Sequence, residues 1–204
     1  GEVGCGNGIL SMNLALGKKP SARLYLNDLS PIMCKMIATR LKHTESLLQD
    51  PKEVLNYGPK VHKRLIETDL EAVDFNSKQK FEFFNTELHQ CKNEQLDHIE
   101  DSSIDAYISS LSLHIVPEPS EVLKECYRIL KPGKFASFSV WGKNEGINQF
   151  SILKHAYERT GLTLPSDGSR SNWHLGDREK FIQIIKEAGF SKVVAFYSYQ
   201  PFPV

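Results

Sequence analysis

A glycine-rich turn and an acidic residue one strand later could together hold a nucleoside. The turn occupies residues 2–8, where the chain reads Glu-Val-Gly-Cys-Gly-Asn-Gly. Glycine permits positive φ angles and lets a ligand lie against bare backbone, and a helix that follows the turn offers free N–H groups. Asp28 ends an apolar run and stands 20 residues after Gly8. A carboxylate there, at the end of a second parallel strand, can accept both hydroxyls of a ribose.

The spacing of the glycines narrows the class of nucleoside. A dinucleotide site has the pattern GxGxxG, and a phosphate-binding P-loop has GxxxxGK[ST]. Here the pattern is GxGxG, and Ile9 follows Gly8. A P-loop is therefore excluded, and an NAD(P)-dependent oxidoreductase is a weak alternative. A tight turn without any ligand is the other alternative, and the presence of Asp28 on the next strand reduces its weight.

The elements that must position these residues alternate between strand and helix, which predicts a doubly wound α/β fold with a mostly parallel sheet. We expect a single domain over residues 1–204. Apolar runs bounded by turn signals predict strands at 1–3, 24–26, 81–84, 104–110, 135–141 and 193–199. Periodicity and capping residues predict helices at 9–16, from Pro31 after the cap Ser30, at 122–130, around 150–157, and after the cap Asp177.

Two parts of the chain depart from this alternation. Residues from about 44 to 79 contain Asp-Pro and Gly-Pro pairs and many charges, and we expect an insertion with one or two short helices there. The chain also begins with Gly1, inside the first predicted strand and without a methionine. We therefore expect residues upstream of Gly1 to be missing from this sequence.

Six segments, spread over nearly the whole chain, follow one another in the order of one family's motifs. They read ExGxGxG at 2–8, LNDLSP at 26–31, DSSIDAY at 101–107, SSLSLH at 109–114, RILKPG at 128–133 and EAGF at 187–190. Together they resemble the class I S-adenosylmethionine-dependent methyltransferases, in the style of methyltransferase type 11 and the small-molecule branch that includes quinone-biosynthesis enzymes. The resemblance implies a Rossmann-like, seven-stranded sheet with an antiparallel last strand and helices on both faces. It also implies S-adenosyl-L-methionine as cofactor and S-adenosyl-L-homocysteine as product.

The same resemblance implies a set of cofactor contacts. The glycine-rich turn would meet the aminocarboxylate end, Glu2 would order that turn, and Asp28 would bind the ribose. The family's third strand usually ends in an aspartate near the adenine, whereas this chain offers residues 85–87. The pair 109–110 either contacts the methionine portion or is an ordinary polar strand end. The implied cofactor-binding residues are Glu2, Gly4, Cys5, Gly6, Gly8, Asp28, Leu29, Asn85, Thr86, Glu87, Ser109 and Ser110.

Three ring-bearing residues are candidates for contact with the methyl acceptor. A general base is needed only if the acceptor is protonated at working pH, and His114, just past the fourth predicted strand, is the candidate. A histidine packed in a loop is the alternative. Trp141, at the end of the fifth predicted strand, either walls the pocket or packs in the core. Trp173 lies in a polar loop, either as a lid on the substrate or as an anchor of the loop.

Composition restricts the partners. The 25 Lys and Arg residues balance the 25 Asp and Glu residues, so there is no electrostatic footprint for nucleic acid or an anionic membrane. No apolar run approaches 18 residues, and we expect no membrane span. The segment 109–112 lacks the Asn/Asp-Pro-Pro-aromatic signature of exocyclic-amine methylation. We expect a small-molecule substrate and no metal, and the oligomeric state stays open.

The cysteines indicate the cellular compartment, and the altered third-strand motif leaves alternative functions open. The cysteines form neither a CxxC pair nor a disulfide framework. We therefore expect a reducing, cytoplasmic environment, with an organelle left open because the N-terminus is expected to be missing. The altered third strand leaves a catalytically silent S-adenosylmethionine-binding partner subunit as an alternative function. A nucleic-acid or protein methyltransferase is the second alternative.

Overall fold

One sheet and the helices on its two faces carry the residues of interest. The computed structural model describes residues 2–3, 9–47, 74–143, 156–162 and 173–199. Its strands are β1 (Glu2–Val3), β2 (Leu24–Asp28), β3 (Lys78–Phe81), β4 (Thr86–Gln90), β5 (Ile104–Ser110) and β6 (Leu130–Ser139). Its helices are α1 (Ile9–Gly17), α2 (Pro31–Leu47), α3 (Pro119–Ile129) and α4 (Arg178–Glu187), and residues 156–160 are also helical.

The strands pair in the order β3-β4-β2-β1-β5-β6. The strands β4, β2, β1, β5 and β6 run parallel, and β3 at the edge is antiparallel to β4. Although β1 comes first in the chain, it lies between β2 and β5, so the strand order reverses there. In open parallel sheets the ligand crevice lies beyond the carboxyl ends of the strands at such a reversal. The predicted α/β fold with a mostly parallel sheet is confirmed.

Local sequence explains where two of the helices begin. The Ser30 hydroxyl accepts a hydrogen bond from the backbone N–H of Met33 (3.3 Å) at the start of α2. The Asp177 carboxylate accepts one from the N–H of Lys180 (3.0 Å) at the start of α4. Each side chain satisfies an N–H that the first turn of a helix leaves without a partner, which confirms both predicted caps. Within the described ranges, none of the helices combines the length and apolar character that crossing a bilayer requires.

The predicted strand at 81–84 is wrong. The strand β3 ends at Phe81, and residues 82–85 form a turn. In this turn Asn85 has a φ of +44° and donates its N–H to the carbonyl of Glu82 (3.0 Å). Asparagine adopts this left-handed conformation more readily than most residues. The strand that lies beside β2 is therefore β4.

The other departures concern the ends of elements. The strand β6 begins at Leu130, directly after α3, and not at Phe135 as predicted. Residues 193–199 form no strand within the described part of the chain, so the predicted antiparallel last strand and the count of seven are not found there. The antiparallel pairing belongs to β3 instead. Helix α2 continues to Leu47, and the rest of the predicted insertion, 48–73, lies outside the described residues.

Side chains alternate between two helix-covered faces of the sheet. Along β2, Leu24 and Leu26 belong to a core shared with α1 and α2, whereas Tyr25 packs against a core shared with α3. A third core joins α3 to α4 through Leu123 and Phe181. Helices therefore cover both faces, which confirms the doubly wound arrangement and leaves the carboxyl edge of the sheet for a ligand.

Candidate functional site

Polar side chains form a row across the carboxyl edge of the sheet. Asp28 at the end of β2 pairs with Gln90 of β4, and Ser110 at the end of β5 pairs with Ser139 of β6. The strand β1 lies between these two pairs. Neighbouring strands are about 4.8 Å apart, so Asp28 and Ser110 lie about 10 Å from each other. We call these four residues the polar row.

The backbone around Asp28 holds it in place. Its Oδ1 accepts a hydrogen bond from the N–H of Ser30 (2.9 Å). Its carbonyl oxygen accepts bonds from the N–H of Cys91 (3.1 Å) and from the thiol of Cys34 (3.5 Å). The residue is only 8% exposed. An Asx turn fixes the direction of the carboxylate, and an ionised carboxylate is purely an acceptor, which suits a pair of ribose hydroxyls.

The glycine-rich turn starts from the middle of this edge. Its strand, β1, ends at Val3 between β2 and β5, and α1 begins at Ile9. Glu2, predicted to order the turn, belongs to β1. The predicted contacts that lie outside the described residues are those of Gly4, Cys5, Gly6 and Gly8.

The strand register places residues 85–87 away from the polar row. Thr86 pairs with Leu24 at the start of β2, whereas Asp28 lies at its end. Three residues of a strand span about 10 Å, so residues 85–87 lie at the opposite edge of the sheet. The expectation that they stand at the end of the third parallel strand is corrected, and Gln90 holds that position. The residues concerned are Asn85, Thr86 and Glu87.

Glu87 instead belongs to a charged cluster within the sheet. Its carboxylate forms an ion pair with Arg23, and its Oε2 lies 3.2 Å from Nε2 of His89. Lys78 Nζ lies 3.8 Å from the same oxygen. Burial opposes the ionisation of Glu87, but the hydrogen bonds from Arg23 and His89 outweigh it and lower the pKa of this carboxyl. The charge of Glu87 is therefore satisfied by protein groups.

The two predicted serines point to opposite faces of β5. Ser109 is 1% exposed, and its hydroxyl finds no hydrogen-bond partner among the described residues. The Ser110 hydroxyl lies in the polar row, 3.1 Å from that of Ser139. Leu111 then turns the chain with a φ of +51°, and its N–H donates to the carbonyl of Ser139 (2.9 Å). A left-handed conformation costs a leucine about 1–2 kcal/mol, and such strain concentrates at functional sites.

The three ring-bearing candidates converge beyond the ends of β5 and β6, together with a further histidine. The ring centroids of His114 and Trp141 are 6.3 Å apart. Those of Trp141 and Trp173 are 6.0 Å apart, with the rings edge to face. His174 is close enough to His114 to lower its pKa. We call these four residues the ring cluster.

His114 is the titratable group at the centre of the ring cluster. It is 4% exposed, and its Nδ1 has no hydrogen-bond partner in the described part of the chain. Burial, and then the neighbouring His174, lower the pKa of the imidazole. The ring therefore stays neutral at physiological pH and can accept a proton. A buried polar atom without a partner is costly, and a bound ligand or water would relieve that cost.

Three residues of this edge carried no usable signal in the sequence. Gln90 was missed because the third parallel strand was predicted at 81–84, and its end was therefore sought at 85–87. Leu111 adopts a left-handed conformation, which a glycine or asparagine in the sequence would have suggested but a leucine does not. His174 joins His114 only through the tertiary fold, since the two lie far apart in the chain.

Comparison with protein families and curated relatives finds methyltransferases. A family model described as a methyltransferase domain matches residues 53–138, which is less than half of the chain. The ubiquinone/menaquinone biosynthesis C-methyltransferase UbiE of Brucella anthropi is 30% identical over 121 residues. That match covers 53% of this chain and 45% of the relative. The chain therefore spans less than half the length of the curated relatives it matches.

Solved structures share the fold over almost the whole chain. The arsenic(III) S-adenosylmethionine methyltransferase CrArsM of Chlamydomonas reinhardtii has a TM-score of 0.55 at 20% identity, over 94% of this chain and 51% of that one. Phosphoethanolamine N-methyltransferase 2 of Haemonchus contortus was solved with phosphomonomethylethanolamine and S-adenosylhomocysteine. Its TM-score is 0.51 at 18% identity, over 93% of this chain and 32% of that one. At these identities the likeness concerns the Rossmann-like fold.

Proposed function

We propose that this chain is a class I S-adenosylmethionine-dependent methyltransferase that transfers a methyl group from S-adenosyl-L-methionine to a small-molecule acceptor. The Brucella anthropi relative, named for quinone biosynthesis, supports an acceptor of that class. The balance of 25 basic and 25 acidic residues also suits a small acceptor that is not strongly anionic.

The placement of Asp28 carries this proposal. Its carboxylate ends β2, next to β1 and on the same edge of the sheet as the ring cluster. The carboxylate fits the hydroxyls of an adenosine ribose, because it is an acceptor of fixed direction at the expected strand end. The buried hydroxyl of Ser109, which has no hydrogen-bond partner among the residues that the structure describes, is a further polar atom that a ligand could satisfy. The edge therefore offers a cofactor half and, at the ring cluster, an acceptor half.

In this proposal the residues of the chain bind, orient and exclude water. When bound, S-adenosylmethionine supplies an electrophilic methyl group: the acceptor's electron pair forms the new bond, the carbon–sulfur bond breaks, and its electron pair stays on sulfur. Asp28 and the glycine-rich turn hold the donor, and Trp141 and Trp173 wall the acceptor. Holding the two reactants in line supplies part of the rate gain, because it removes the entropy cost of bringing them together in the reaction itself.

His114 has a conditional role in the same reaction. If the acceptor atom carries a proton at working pH, the neutral imidazole takes up that proton as the new bond forms. Burial already keeps His114 neutral, so a base is available without prior deprotonation. An acceptor that is already deprotonated needs no base, and His114 then only lines the pocket.

Calorimetric titration with S-adenosyl-L-homocysteine tests the cofactor half. We expect Asp28→Asn to weaken binding by about tenfold or more, because hydrogen bonds to a charged group contribute about 1.5–3 kcal/mol. Asp105→Asn is the matched control, because Asp105 lies at the start of β5 and pairs with Lys131 and Lys134. Absence of binding at millimolar ligand, or equal binding by Asp28→Asn and the wild type, would overturn the proposal.

Methyl transfer itself is measured as S-adenosylhomocysteine released from S-adenosylmethionine in the presence of a panel of small-molecule acceptors. Turnover with any member supports the enzyme. Tight cofactor binding without turnover across a broad panel would contradict the activity, and would favour the silent partner subunit.

The proposal places the chain in a reducing compartment. Cys34, Cys91 and Cys126 are free thiols in the structure. Burial raises the pKa of each of them, so all three stay protonated and unreactive at physiological pH.

A further inference from the structure

The loop that carries Trp173 and His174 packs closely against the segment that follows β6. A Cβ atom built on Gly176 would lie 2.5 Å from the carbonyl oxygen of Gly142 and 3.0 Å from that of Trp173. Real Cβ atoms essentially never approach backbone this closely. Glycine at 176 is therefore required by close approach of two backbone segments, one of which directly follows Trp141.

Tyr197 ties the two segments together. Its hydroxyl donates to the carbonyl oxygen of Gly176 (3.1 Å) and accepts from the backbone N–H of Arg178 (3.3 Å). Its ring lies beside Gly142, where a Cβ would be 3.6 Å from Cδ1. One side chain thus contacts both the loop and the segment that follows β6. None of the motifs in the sequence singles this tyrosine out.

We propose that Tyr197 is a positioning residue that acts through Gly176 to hold Trp173 and His174 against Trp141 and His114. Its hydroxyl binds the loop, its ring packs on the segment after β6, and the ring cluster forms where the two meet. That the cluster walls a methyl acceptor rests on the proposed function. That Tyr197 holds this loop in place rests only on the contacts of Tyr197 described above.

Intrinsic fluorescence reads this arrangement directly, because Trp141 and Trp173 are the only two tryptophans in the chain. Tyr197→Phe keeps the ring and deletes the hydroxyl. Loss of its hydrogen bonds should shift the balance between the docked and undocked loop by about two- to tenfold. We expect a red-shifted emission and a larger acrylamide quenching constant. The effect should persist in the Trp141→Phe background, where Trp173 is the only tryptophan and is excited selectively at the red edge of the absorption band.

Two controls separate positioning from general loosening of the fold. Tyr199→Phe makes the same chemical change at a residue that is 78% exposed. The Kd for S-adenosyl-L-homocysteine reports on the cofactor half. We expect it to stay within about twofold of wild type in Tyr197→Phe, because Asp28 lies on β2, which β1 and β5 separate from β6. A variant that merely loosens the fold would move both readouts together.

A second pair of variants tests the tie from the opposite side. Arg178 is the first residue of α4, a position that favours proline, and Asp177 before it is extended (φ −81°, ψ 115°) as proline requires. Arg178→Pro removes the backbone N–H that donates a hydrogen bond to the Tyr197 hydroxyl, whereas Arg178→Ala retains it. We expect stronger quenching in Arg178→Pro than in Arg178→Ala.

The outcomes divide as follows. Wild-type fluorescence in Tyr197→Phe, or an equal change in Tyr199→Phe, overturns the inference. If Tyr197→Phe does not fold cooperatively, the Arg178 pair decides, and equal quenching of its two members overturns it. Failure of the proposed function has a different signature: the wild-type chain would show no binding of S-adenosylhomocysteine, with the fluorescence differences intact.

Discussion

The stacked pair His89 and His98 makes the stability of the fold depend on pH. The ring centroids lie 3.7 Å apart with the planes 15° from parallel. Nε2 of His98 is buried without a hydrogen-bond partner among the described residues. Burial, then the charges of His89 and Lys78, lower the pKa of His98 from 6.5 to about 4, against smaller opposing effects of Glu87 and Asp97. The folded chain therefore keeps His98 neutral where the unfolded chain protonates it.

The sign and size of the effect follow from proton linkage. Between pH 6.5 and about 4 the unfolded state holds more protons at His98, so the free energy of unfolding falls as the pH falls through this window. The full shift corresponds to a loss of about 2 kcal/mol between pH 7.5 and pH 5. His98 is partly exposed, and solvent screening reduces the expected loss to about 1 kcal/mol.

The perturbation that isolates this effect is His98→Phe, which keeps a flat ring on His89 and cannot be protonated. Urea denaturation followed by far-UV circular dichroism at pH 7.5 and pH 5 gives the loss for each variant. We expect the loss in His98→Phe to be smaller than in wild type by about 1 kcal/mol. Part of the loss remains, because burial also lowers the pKa of His89. The control is His43→Phe on α2, outside the stack. Equal losses in wild type and His98→Phe would refute the reasoning.

Two further predictions concern the frame of the site. Arg128 binds the carboxylates of Glu125 and Asp101, so Arg128→Ala should lower the free energy of unfolding in urea by about 2 kcal/mol, and Arg128→Lys should recover only part because lysine lacks the planar fork. An equal stability of the alanine variant and wild type would contradict this. At Leu111, whose φ is +51°, the glycine variant should be more stable than the alanine variant by about 1 kcal/mol, the reverse of the usual order, because only glycine escapes the left-handed penalty. The usual order, with alanine ahead, would show that the backbone at this position is unstrained.

The half of the site around Asp28 was predictable because its determinants are local. An apolar triplet that stops at Asn27 and Asp28 predicts a buried strand and its end. Ser30 predicts the helix cap that follows, and the structure confirms both. The same residues form the Asx turn that directs the carboxylate. A sequence pattern over a few residues is sufficient to predict a structure that those same few residues form.

The third parallel strand was misplaced because apolar composition does not distinguish a strand from a packed turn. Phe83 and Phe84 stack edge to face at 4.9 Å and pack against the core of α1 and α2 from within the turn. The true strand, β4, contains Glu87 and His89, polar residues whose burial depends on partners elsewhere in the chain. Strand preference depends on such tertiary neighbours more than on the residues themselves. A single sequence does not show them.

The two halves of the proposed site are supported by different elements, one by a strand and the other by a loop. This difference bears on how the proposed enzyme could change its substrate. Asp28 lies on a strand, and its carbonyl is bonded from both α2 and the segment after β4, through Cys34 and Cys91. Shifting it would disturb the sheet register and the core beneath it. Trp173 lies on a loop, tied to the scaffold by the contacts of Gly176 and Tyr197. Changing a loop held by a few contacts among the described residues costs less than changing a strand that is hydrogen-bonded on both sides. Under the proposed function, that difference in support predicts a constant cofactor half and an adaptable acceptor half.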